Sequence, residues 1–210
     1  FQGNLVTILG TGNVGIGTTS PIAKLDVAGE IRSTGGFTSD DGNFTRILNP
    51  GGASYSSGST TGTIKITLPL SWTNTMMRIV VKVFDYADSE GFTVELGGYN
   101  YAGSGGYWAN TYAYITSSPI VDRNFNVRFG HDGTKCCIYI GETTQYWAYL
   151  KVAVTEAQFG HSNFESYKWN DGWDVRETSI LGTISSTQSS TQISNWARSC
   201  LLYTSPSPRD

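Results

Sequence analysis

The run Gly10-Thr-Gly-Asn-Val-Gly15 has the glycine spacing of a dinucleotide site, and it follows an apolar stretch, Leu5-Val-Thr-Ile-Leu9. Glu30 stands where such a site places its ribose-binding acid. The chemistry needs a helix starting at the third glycine, so that its first N–H groups can hold the pyrophosphate. The residues that follow are Ile16-Gly-Thr-Thr-Ser-Pro21. Gly17, two β-branched threonines and Pro21 leave no room for a useful helix, and the nucleotide reading fails there.

Glycoside cleavage would need two carboxyl groups facing each other across a groove. The candidates are Asp85, Asp88, Glu90, Glu95, Asp122, Asp132, Glu142, Glu156, Glu165, Asp171, Asp174 and Glu177. None falls in a recognisable pairing, and most sit beside Gly, Ser or Asn in apparent turns. His131 and His161 each follow a glycine, and no Gly-x-Ser-x-Gly elbow accompanies them. No HExxH or CxxC pattern is present, so a zinc site is not expected. Cys136 and Cys137 are adjacent and would point to opposite faces of a strand, as small packing residues. The expectation is no catalytic residue, no metal and no cofactor.

Aromatic residues are the more promising chemistry. Tyr99, Tyr101, Tyr107, Trp108, Tyr112 and Tyr114 cluster around the turn Gly103-Ser-Gly-Gly106. A second set is Tyr146, Trp147 and Tyr149, and a third is Phe164, Tyr167, Trp169 and Trp173. Rigid rings with a polar tip suit sugars and protein partners at low entropic cost. Most would fill a core. The turn predicts exposure, and hence binding, for Tyr101, Tyr107 and Trp108. Trp169 and Trp173, which flank Asn170-Asp-Gly172, come next.

Strands must position these groups. Glycine occurs 25 times, and short β-favouring runs alternate with turn residues. From Thr63 to Thr178 the period is two: Ile64, Ile66, Leu68; Met77, Ile79, Val81, Val83; Val94, Leu96; Phe125, Val127, Phe129; Leu150, Val152, Val154. Asp132-Gly133 marks a hairpin. The pattern predicts an all-β protein whose head, residues 63–178, is an antiparallel, jelly-roll-like β-sandwich. Residues 1–46 read as an extended shaft of short strands that would pair only by winding three chains together. Residues 47–62 read as a Gly/Ser-rich linker, and 179–199 as an unassigned polar tail. A net charge of −3 with 15% charged residues excludes a basic nucleic-acid face. No apolar stretch reaches the roughly 18 residues of a membrane span.

The segment Gly12-Asn-Val-Gly-Ile-Gly-Thr-Thr-Ser-Pro-Ile-Ala-Lys-Leu-Asp-Val-Ala-Gly-Glu-Ile-Arg32 resembles a recurrent element of tail-fibre and adhesin-like proteins, usually near trimeric shafts. Asn126-Val-Arg-Phe-Gly-His-Asp-Gly-Thr-Lys-Cys-Cys-Ile138, Thr155 to Ser162 and Gly172-Trp-Asp-Val175 are similar to distal domains of such phage proteins. The resemblance implies a homotrimeric, receptor-binding part of a phage tail fibre on the virion, attached to other tail proteins. Its partner would be a host-surface glycan or protein. Three copies of a weak site would add avidity. Its competitors are a purely structural fibre module, a polysaccharide depolymerase and a bacterial surface adhesin.

The last residues, Cys200-Leu-Leu-Tyr-Thr-Ser-Pro-Ser-Pro-Arg-Asp210, resemble a translated sequencing adaptor. That implies a metagenomic assembly whose natural end is missing, with residues 200–210 taking no part in fold or function.

Overall fold

The computed structural model describes residues 6–33, 36–40, 42, 44–115 and 126–189. Leu5, Asp122, Phe125 and the adaptor-like tail 200–210 lie outside the described residues. The chain forms two compact units, Phe1–Thr34 and Gly35–Asp210.

The first unit is a three-stranded sheet of β1 (Val6–Ile8), β2 (Val14–Ile16) and β3 (Leu25–Val27). β1 pairs antiparallel with β2, and β3 pairs parallel with it. No helix follows Gly15; the chain leaves β2 through Gly17, whose φ of 74° is the left-handed region that glycine occupies freely. Lys24 Nζ donates to the Thr11 carbonyl at 2.9 Å, and Asp26 accepts from the Ile22 N–H at 3.0 Å. Strands this short bury little. Val6, Ile8, Ile16, Ile22, Leu25 and Ile31 all remain exposed.

The second unit contains β4 (Phe37–Asp40), β5 (Phe44–Ser54), β6 (Thr60–Thr61), β7 (Thr63–Thr67), β8 (Thr75–Asp85) and β9 (Glu90–Tyr101). These are followed by β10 (Tyr107–Ile115), β11 (Asn126–His131), β12 (Cys136–Ile140), β13 (Tyr146–Trp147), β14 (Lys151–His161), β15 (Asp174–Thr178) and β16 (Thr183–Ser189). A six-stranded sheet has the order β10-β9-β8-β14-β5-β4, and a five-stranded sheet has β15-β7-β12-β11-β16. Every strand pair in both is antiparallel. The protein is an all-β sandwich.

Period-two alternation sends Ile79, Val81, Val94, Leu96 and Val154 inward from the first sheet, to meet Ile64, Ile66, Val127, Phe129 and Ile138 from the second. β7 and β12 are buried at every position, although Lys65 and Thr67 give β7 the alternation of a half-exposed strand. Lys65 is accommodated by its ion pair with Asp132 at 2.7 Å. Cys136 and Cys137 are free and buried; burial pushes the Cys137 thiol up to about 11.

Three expected boundaries are corrected. The shaft does not reach residue 46, because β4 and β5 form a hairpin within the main sheet. The linker at 47–62 is largely strand: β5 pairs with β14 as far as Ser54, and β6 pairs with β13. Asn49-Pro-Gly-Gly52 mimics a loop for local reasons. Asn49 (φ 53°) and Pro50 fall where the β5–β14 register shifts around Thr155, and a proline is tolerated at such a bulge. Gly52 is required by close approach, since a Cβ there would stand 2.6 Å from the Val152 carbonyl oxygen. Finally, the polar tail contains β16, an edge strand paired with β11. Its alternate residues face solvent, hence its lack of apolar period.

Candidate binding face

The outward residues of the six-stranded sheet make one continuous surface, and its β8–β9–β10 end is rich in tyrosine. Tyr99 and Tyr101 alternate outward on β9 with the buried Asn100 between them. Tyr101 lies opposite Tyr107, with ring centroids 5.2 Å apart in an edge-to-face pair. A register shift between Ala109 and Tyr112 then carries Tyr112 and Tyr114 outward, with centroids 5.3 Å apart. Tyr112 lies over its cross-strand partner Gly97, where a Cβ would meet its hydroxyl at 2.7 Å. Burial raises the Tyr112 pKa, and nearby Glu95 adds to this, so the ring stays a neutral phenol.

Asn100 anchors the strand beneath. Its Oδ1 accepts from the Thr75 N–H at 2.7 Å, and its Nδ2 donates to the Ser71 carbonyl at 3.2 Å.

Beside the tyrosines lies a groove of about 530 Å³, bordered by Phe44, Met76, Tyr99, Tyr112 and Gln158 and floored by Gly160. Its size is that of a small-molecule site. A charged network continues from it along the sheet. Arg78 donates twice to Glu95, both at 2.8 Å, and once to Glu156 at 3.1 Å. Arg46 and Gln158 complete the shell of Glu156, each at 2.7 Å. The bonds to Glu95 hold the Arg78 pKa above its ordinary value. Two arginines and two glutamates cancel, so the network presents no net charge.

Glu95 and Glu156 are carboxylates that tertiary structure brings together. Both are engaged by the guanidinium of Arg78, an arrangement that cross-links β8, β9 and β14. Ser71 and His131 also meet, with Oγ 2.8 Å from Nε2. His131 Nδ1 accepts from the Gly133 N–H at 3.0 Å, so the neutral ring carries its proton on Nε2 and donates to Ser71. A general base for serine needs the opposite polarity.

Of the residues singled out by sequence, Tyr101 and Tyr107 lie on the outer face. Trp108 does not. It follows Tyr107 on β10 and so points the other way, 3% exposed, with its indole N–H on the Gly130 carbonyl at 3.0 Å. Trp169 is fully buried and stacked on Phe159, with centroids 4.2 Å apart. Trp173 is half-buried and donates to the Trp169 carbonyl at 2.6 Å. The expected exposure of Trp108 and Trp169 is therefore corrected: Trp108 alternates inward on β10, and Trp169, beyond any strand, packs flat on Phe159. The groove residues Met76, Gln158 and Gly160 went unnoticed, because strands distant in sequence assemble them. Tyr99 and Tyr112 were visible as members of the aromatic cluster. Comparison with protein-family models, with curated proteins and with solved structures finds no match.

Proposed function

We propose that this chain is a structural and receptor-binding part of a phage-type tail fibre, attaching to a host-surface glycan or protein through the tyrosine-bearing face. The observation that carries this reading is the presentation of Tyr99, Tyr101, Tyr107, Tyr112 and Tyr114 on one side of a rigid sheet. Tyrosine gives large contact area with few rotatable bonds and a hydroxyl that stays useful at a wet interface.

The first unit supports the fibre part of the proposal. Its exposed Ile8, Ile22 and Leu25 and its edge strands β1 and β3, unpaired on their outer sides among the described residues, suit association with further copies. A homotrimer closes such surfaces and multiplies a weak site by avidity. The resemblance of Gly12–Arg32 to tail-fibre elements agrees with it.

The test uses the full chain. Analytical ultracentrifugation is expected to give a species of three 22.8 kDa protomers. Immobilised bacterial envelopes are expected to retain it, and the Tyr107→Ala/Tyr114→Ala chain to be retained at least tenfold less. Loss on periodate oxidation identifies a glycan receptor; loss on proteolysis identifies a protein. A monomer that no envelope retains contradicts the proposal.

A further inference from the structure

We infer that the groove beside the tyrosines is a subsite for an uncharged pyranose ring. The inference rests on the attachment reading above and names the ligand class for one part of that face.

Three features converge. The first is the floor. Gly160 lies opposite Phe44 on β5 and Met76 on β8, and a Cβ built there would meet only the Phe44 Cβ, at 3.9 Å. Its φ is not positive, so the backbone does not require glycine. A glycine inside a strand costs conformational freedom and gives the sheet no side chain to pack. Here the missing side chain has one evident consequence, which is to keep the groove open.

The second is the walls. Phe44, Tyr99 and Tyr112 supply aromatic surface and Met76 a polarisable thioether, suited to the C–H faces of a sugar ring. Around them stand uncharged polar groups that make no hydrogen bond among the described residues: the Asn110 side-chain amide, the Tyr99 and Tyr112 hydroxyls and the Gln158 side-chain Oε1. A pyranose presents the matching pattern, apolar faces with a rim of hydroxyls.

The third is charge. Arg78 lines the groove, but Glu95 holds it with two bonds and Glu156 with a third. A carboxylate or phosphate sugar would have to displace an existing partner to gain a cation. A neutral ring loses nothing.

The chain carries its own probe. It has two methionines, Met76 exposed on the groove wall and Met77 turned into the core. With the full chain labelled at the methionine methyls, NMR titration at pH 8 would use methyl glucoside, methyl galactoside and N-acetylglucosamine. Glucuronic and N-acetylneuraminic acids serve as charged comparisons. At least one neutral sugar is expected to move the Met76 methyl saturably, with Kd of millimolar order, and to leave Met77 in place. Gly160→Leu and Gly160→Val are expected to weaken this at least tenfold with an unchanged or higher melting midpoint. Tyr86→Ala, in an exposed pair away from the groove lining, should retain it.

A shift produced only by the acids, a shift indifferent to both Gly160 variants, or no shift with any neutral sugar overturns the inference. So does displacement by a surface protein alone. Retention on envelopes without any Met76 response would sink the groove and leave the attachment reading standing. A Met76 response in a chain that no envelope retains would do the reverse.

Discussion

Trp108→Ala is expected to cost about 3–5 kcal/mol of stability, the usual penalty for truncating a buried tryptophan. For a chain of this size that lowers the melting midpoint by roughly 6–20 °C. The indole is 3% exposed, lies against Phe129 at 5.3 Å and Trp72 at 6.3 Å, and donates its N–H to the Gly130 carbonyl across the sandwich. Alanine removes the packing between the sheets and one buried hydrogen bond together. Its neighbour Tyr107 is 42% exposed, and Tyr107→Ala should cost about 1 kcal/mol or less. Thermal unfolding of the pair tests the alternation directly. Equal losses would mean that β10 does not have the register described.

Asp132→Ala is expected to destabilise the head by about 3 kcal/mol, because it strands the Lys65 ammonium inside the five-stranded sheet. The Lys65 side chain is 6% exposed and donates to Asp132 Oδ2 at 2.7 Å. The other oxygen accepts from the Thr134 and Lys135 N–H groups at 3.0 and 2.9 Å, and so shapes the β11–β12 hairpin. Burial alone would raise the Asp132 pKa. The Lys65 bond and the two backbone donors outweigh it and hold the carboxyl well below its ordinary range. Burial likewise opposes the charge on Lys65, and the bond to Asp132 outweighs it, so that pKa is raised.

The signs then fix the pH profile. A depressed acid contributes stability that is present above its unfolded pKa, about 3.9, and is lost as pH falls through the folded value. A raised lysine contributes stability that is present below about 10.4 and is lost as pH rises through its folded value. Urea unfolding of Asp132→Asn should therefore show a shallower decline below pH 4 than the parent chain. A parallel decline would mean that the pair contributes nothing to the acid limb.

The all-β class and most strands of the head were legible because alternation is local. Met77, Ile79, Val81 and Val83 mark the inner face of β8 by themselves, and Asp132-Gly133 marks the β11–β12 hairpin. β5 and β16 escaped because neither follows the rule that reveals the others. β5 hides behind Pro50 and the close-packed Gly51 and Gly52, and β16 is a polar edge. The site was half legible. Its tyrosines could be counted, but which aromatic faces out depends on register. Trp108 and Tyr107 differ by one position and have opposite surroundings. The groove needs Phe44, Met76, Tyr99 and Gly160 on four neighbouring strands, an adjacency that no window of sequence contains.

The account turns on which end of the outer sheet face meets the receptor, and paired alanine variants decide it. Tyr99 and Tyr112 border the groove; Tyr86 and Tyr149 form a separate exposed pair, 5.6 Å apart and edge to face. Each double variant would be made in the full chain, checked for an unchanged melting midpoint, and measured for retention on bacterial envelopes. Tyr99→Ala/Tyr112→Ala should lose retention at least tenfold, while Tyr86→Ala/Tyr149→Ala keeps it. Retention that survives the first pair, or disappears only with the second, would contradict attachment through this face.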